Sequence, residues 1–185
     1  MGLHPVFLEI TSTFFSIPEQ PNTFTSNLYC TRIKKEEFPV PAIQATRTLI
    51  SRKPWLGNRD KNPTQHEIAV SVCSFLSWID EVSRAYEIAP PQFRLGQARP
   101  GSLGGYAPAF HTIIMPKFSV ITLAHEFRHA WQWQTKKHID SVHRAEEDAR
   151  AWPASLVYIA NPEFYMNAVG KDGVYTHKKG ESKQC

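Results

Sequence analysis

The chain has 185 residues, 42% of them hydrophobic and 21% charged, with 21 Lys and Arg against 17 Asp and Glu for a net charge of +4. That composition excludes collagen-like, coiled-coil and wholly disordered chains, and the length suffices to bury roughly two thirds of the unfolded surface in one domain. No disulfide or structural metal is needed for folding at this size, so any bound metal is expected to perform chemistry. Cys30, Cys73 and Cys185 make an odd count with no C-x-x-C pair, which argues against a secreted disulfide framework and a thiolate zinc site and points to the cytoplasm. The small positive surplus is not by itself a nucleic-acid signal.

In chain order, residues 3–10 and 26–33 carry short β-branched and aromatic runs, the pattern of strands. The apolar run Pro5-Val6-Phe7-Leu8 stops at Glu9, so neither a signal peptide nor a membrane anchor is expected, and Val6 stands where myristoylation at Gly2 requires Ser or Thr. A short helix is predicted near 41–52. Asn62 as cap and Pro63 in the first turn open a helix over 63–87, with Ile68, Val72, Phe75, Leu76, Ile79 and Val82 at helical spacing before Pro90-Pro91. A strand from Gln92, a loop over 100–105 and a second strand from Tyr106 to Met115 read as a hairpin. Ser119 then caps a helix that runs to Lys136 and Lys137, whose charges suit a helix C-terminus. A third helix over 141–160 contains Pro153, predicted to kink or re-phase it. Residues 1–170 are expected to form a single domain, followed by a flexible basic tail over 171–185.

The chemistry concentrates in His125-Glu126-Phe127-Arg128-His129, an H-E-x-x-H inside the predicted second long helix. Residues i and i+4 share a helix face, so both imidazoles can reach one zinc ion, while Glu126 projects beside that face to act on a water. With 8 His and 12 Glu in the chain, only about 0.02 such motifs are expected by chance. His66-Glu67 lacks the second histidine, because Val70 occupies that position. A catalytic zinc needs a third protein ligand and an open position. Gln132 and Thr135 stand where metzincins carry Gly and His, so that branch is excluded. The remaining candidates lie in His143-Arg144-Ala145-Glu146-Glu147-Asp148-Ala149-Arg150-Ala151-Trp152. There the small Ala149, one turn from Glu146, would allow close helix approach. A solvated acidic stripe paired with Arg144 and Arg150 accounts for the same residues. Asp148 can orient a ligand histidine or pair with Arg144 or Arg150. Leu123, Phe127, Ala130 and Trp131 read as core, and Gln132 as a residue on the metal side that meets substrate or water.

Thr122 to Ala130, preceded by Gly105-Tyr106 and Ile113-Ile114-Met115-Pro116 and followed by Glu146 to Trp152, resembles the core of small gluzincin-type metallopeptidases of the ImmA/IrrE-like kind. The resemblance covers roughly residues 64–160 and implies an α+β, zincin-like domain with a small antiparallel sheet, an active-site helix and a glutamate-bearing helix. It implies Glu146 as third ligand, from the match of Glu146, Asp148 and Ala149 to the family's E-x-x-A or E-x-D-A element. Trp152 and Pro153 depart from the family's Phe-Ala, and no helix-turn-helix is evident. SprT-like proteases are a second resemblance, with His143 as third ligand, although the His-Gly-x-x-Trp context is missing; Glu147 ranks behind both.

The expectation is a zinc metalloendopeptidase in which His125, His129 and Glu146 bind Zn²⁺ and Glu126 is general base toward a zinc-activated water. Its expected partner is a protein or peptide substrate, with a regulatory protein as a further candidate. Tyr106, His111, Tyr158 and Tyr165 are candidate oxyanion donors, and the strand 106–115 a sheet edge for an extended peptide. The alternatives are an inactive zinc-binding regulatory module and a DNA-associated protease of SprT-like type.

Overall fold

A computed structural model describes residues 38–54, 62–137 and 140–172, so the predicted strands at 3–10 and 26–33 lie outside the described residues. The fold is α+β, with five α-helices and a three-stranded mixed sheet among the described residues.

Helix α1 (Val40–Ser51) carries Pro41 in its first turn, where a missing N–H costs nothing, and buries Ala42, Ile43, Ala45, Thr46, Leu49 and Ile50 along one face. Helix α2 (Gln65–Ala85) begins two residues later than Asn62-Pro63 suggested, with Thr64 as its cap. The Thr64 hydroxyl accepts the Glu67 N–H at 3.2 Å and the Glu67 carboxylate accepts the Thr64 N–H at 2.7 Å, a reciprocal cap that satisfies two orphan donors. Of its predicted apolar stripe, Phe75, Ile79 and Val82 are buried, but Leu76 is exposed and Trp78 takes its place in the core. The Trp78 indole N–H donates to Thr46 Oγ1 at 3.0 Å, which ties α2 to α1 and leaves no buried donor unpaired there.

The sheet differs from the predicted hairpin. Strand β1 (Gln92–Leu95) pairs parallel with β3 (Thr112–Met115), and β2 (Gly105–Ala107) pairs antiparallel with the other side of β3, giving the order β1-β3-β2. The predicted strand 106–115 is thus itself a hairpin. A 3-10 turn at Pro108–Phe110 and a left-handed His111 (φ 46°) fold Ala107 back onto Thr112. Pro108 has no N–H to continue a ladder, and a positive φ reverses the chain where an extended residue could not. The side-chain network locks that turn. His111 Nε2 donates to the Ala89 carbonyl at 3.0 Å, so its Nδ1 accepts the Tyr106 O–H at 2.8 Å.

Helix α3 (Val120–Thr135) starts at Ser119 as expected, whose hydroxyl accepts the Thr122 N–H at 3.2 Å, and ends at left-handed Lys136. Helix α4 (Val142–Ala160) continues through the buried Pro153. It is followed by α5 (Pro162–Asp172), which carries helix past the predicted tail boundary at residue 170. The core lies where α1, α2, α3 and α4 meet around Phe75, Trp78, Phe127 and Trp152. The Phe127 ring stacks at 5.9 Å on Trp152 and meets Trp78 edge-on at 5.3 Å. Phe127 occupies the centre of the H-E-x-x-H sequence, so burying it aims the neighbouring histidines away from the core. No helix of the described residues is long and apolar enough to cross a membrane.

Candidate metal centre

His125 and His129 project from successive turns of α3, and Glu146 meets them from the second turn of α4. The two Nε2 atoms are 3.1 Å apart, His129 Nε2 lies 3.3 Å from Glu146 Oε1, and His125 Nε2 lies 3.7 Å from Glu146 Oε2. Four donors set tetrahedrally at about 2.0–2.1 Å from a zinc ion are roughly 3.3–3.4 Å from one another. The three side chains therefore already stand at the spacing a metal requires, and among the described residues they form the group able to hold one.

The protonation pattern makes the same demand. Gln132 Nε2 donates to the Ala145 carbonyl and to Asp148 Oδ2, both at 2.9 Å, so its amide oxygen is the atom facing His129 Nδ1 at 2.9 Å. His129 then carries hydrogen on Nδ1, and in its neutral form the lone pair is on Nε2. The backbone carbonyl of Ala149 is a hydrogen-bond acceptor for the His125 ring. That carbonyl is available because the residue four positions later is Pro153, which has no N–H to offer it. Two imidazole nitrogens and a carboxylate converging within 4 Å make a place where a cation is favoured.

The titration tendencies follow. Burial and the neighbouring His129 push His125 down to about 4. Burial opposes the charge on His129 too, but its contacts with Glu146 and Gln132 and the nearby Glu126 win, and its pKa is raised. Hydrogen bonding to His129 holds Glu146 down near 2. In the absence of metal, a proton on His129 partly replaces the cation.

Glu126 is outside the ligand group. It is 6% exposed, and burial, reinforced by the charge of Glu146, pushes it up to about 7. The Tyr106 N–H donates to its carboxylate and works against that rise. Gly104 makes room beside it. A Cβ at that position would lie 2.8 Å from Thr122 Cγ2 and 3.1 Å from Glu126 Oε1. Strand β2 is the sheet edge here, so the predicted peptide-binding edge is confined to Gly105–Ala107, while residues 112–115 occupy the centre of the sheet.

Several predicted roles are redistributed. Asp148 pairs with Arg128, at 2.7 and 3.1 Å, rather than with Arg144 or Arg150, and acts on His129 through Gln132 rather than directly. Arg144 pairs with Asp140, and Arg150 with Glu146 Oε2 at 3.7 Å. Gln132, read as a substrate-side residue, is buried between the helices. The guanidinium of Arg128 lies 3.8 Å over the Trp131 ring and 5.4 Å from that of Trp152, so the buried pair is sealed by aromatic faces. Sequence reasoning missed Arg128 altogether; its signal was a cation one residue before a ligand on a helix that needs a buried face. His143 is exposed and pairs with Glu147 at 3.5 Å. Of the candidate oxyanion donors, Tyr106 and His111 are engaged with each other, and the Tyr158 and Tyr165 rings pack together at 5.8 Å.

No protein-family model matches the chain, and neither the curated proteins nor the solved structures contain a significantly similar one.

Proposed function

We propose that this protein is a zincin-like, gluzincin-type zinc metalloendopeptidase acting on a protein or peptide substrate in the cytoplasm. The observation that carries the reading is the convergence of two histidine Nε2 atoms and one carboxylate near tetrahedral spacing, beside a second, buried carboxylate outside that group. His125, His129 and Glu146 would hold Zn²⁺. The donor set of two neutral imidazoles and one carboxylate is that of catalytic rather than structural zinc. When bound, the ion lowers the pKa of a water and polarises a carbonyl.

The chain supplies the rest. Glu126, buried beside the ligand group and outside it, takes the proton of the attacking water and passes it to the leaving amine. The Tyr106 N–H keeps that carboxylate at the sheet edge. Strand β2 offers the extended backbone next to it along which a peptide can align. The test is Glu126→Gln assayed on a fluorogenic peptide library alongside metal analysis. Turnover should fall roughly a hundred- to ten-thousand-fold while zinc stays bound. An unchanged hydrolysis rate would overturn the assignment, and an absence of hydrolysis by the zinc-loaded wild type would make the site a binding module.

A further inference from the structure

Resting on the metal-site reading above, we propose that Gln132 is a positioning residue that fixes the Nδ1–H tautomer of His129 before any metal arrives, with Arg128 and Asp148 as its anchor. Each link is a contact whose direction is forced. Arg128 Nε and Nη2 donate to the two Asp148 oxygens at 2.7 and 3.1 Å, in a pair 4% and 2% exposed, so Asp148 is ionised and accepts only. The Ala145 carbonyl also accepts only. Gln132 Nε2 spends both its hydrogens on these two acceptors, which leaves Oε1 toward His129. Inverting the amide would set an oxygen against an oxygen twice in a site 2% exposed, leaving buried acceptors unpaired. A neutral histidine in water favours the other tautomer, with hydrogen on Nε2 and the wrong nitrogen free. Gln132 reverses that preference.

An amide achieves this without adding charge. A carboxylate touching His129 directly would raise the donor strength of the ring and weaken the metal's pull on water. Here the negative charge of Asp148 is neutralised by Arg128, and only a carbonyl dipole reaches the imidazole. Because the anchor joins α3 to α4 two residues from Glu146, the same contacts hold the third ligand in register with the histidines.

The test uses metal-free full-length protein and its Gln132→Met variant, which is similar in shape but has no amide. Long-range ¹H–¹⁵N correlation in alkaline buffer, where the ring is neutral, reads the tautomer directly. Wild-type His129 should carry hydrogen on Nδ1, and the variant should shift toward the Nε2–H form while binding Zn²⁺ roughly 10- to 100-fold more weakly. A wild-type ring protonated on Nε2 overturns the proposal even if the variant fails to fold, as does a folded variant whose zinc affinity and tautomer match wild type. A wild type with the Nδ1–H tautomer but no zinc binding would instead overturn the metal reading and leave the lock standing.

Discussion

Replacing Glu126 by Gln should change the pH dependence of stability in a direction set by its burial. In the metal-free fold the carboxyl is pushed from its ordinary 4.5 to about 7, chiefly by desolvation. Below pH 4.5 the folded and unfolded chains both hold the proton, and burial costs nothing electrostatic. Between 4.5 and about 7 the folded state keeps a proton that the unfolded state releases, so stability falls as pH rises, and above about 7 the loss is complete. At about 1.4 kcal/mol per tenfold change in proton affinity, an ionised Glu126 costs roughly 3 kcal/mol. Gln keeps the shape and an oxygen for the Tyr106 N–H but never ionises. Urea unfolding of metal-free protein should therefore find Glu126→Gln close to wild type at low pH and more stable by up to about 3 kcal/mol above neutrality. Adding zinc should shrink that gap, because a nearby dication favours the carboxylate. A stability difference that is the same at both pH extremes would show that Glu126 is not a desolvated carboxylate, and the general-base assignment would lose its physical basis.

Three further outcomes separate the ligands from their supports. Glu146→Ala should abolish high-affinity zinc binding by calorimetry, whereas His143→Ala, which removes an exposed residue paired only loosely with Glu147, should leave affinity within about twofold of wild type. Gly104→Ala drives a methyl against Thr122 and Glu126; it should destabilise the fold by about 1–3 kcal/mol in thermal unfolding and depress hydrolysis, with zinc affinity retained. Pro153→Ala supplies an N–H that can pair with the Ala149 carbonyl, an acceptor near the His125 ring. Zinc affinity should drop about two- to tenfold, the worth of one hydrogen bond, and equal or tighter binding would show that the proline has no part in orienting that ring.

Much of the site was legible because helical periodicity is a local property. His125, Glu126 and His129 are related by i, i+1 and i+4 spacing on one helix, and Ser119 announces where that helix starts. The spacing of Glu146 and Ala149 left an acidic stripe equally plausible, and Glu146 was singled out by the family resemblance; the structure places it beside both histidines. The sheet was misread for a physical reason. Residues 92–95 and 112–115 have the composition of a strand pair, but whether two strands run parallel depends on what crosses between them, and the turn at 108–111 is set by His111 reaching Ala89, 22 residues away in the chain. Strand pairing is a long-range choice that no window of sequence contains.

The sequence by itself placed four of the five described helices and the shared face of His125 and His129, because both follow from local spacing, while α5 was not foreseen. Only the tertiary structure decided which surroundings each carboxylate meets. Glu126, Glu146, Glu147 and Asp148 have nearly equal intrinsic acidities, and they differ in the fold by burial and by the cations they meet. Glu126 is desolvated and held by the Tyr106 N–H, Glu146 faces two histidines, Glu147 stays in solvent, and Asp148 is neutralised by Arg128. Assembling α3 against α4 separates four similar carboxyl groups into one that is buried, one that faces two histidines, one at the surface and one paired with a buried arginine.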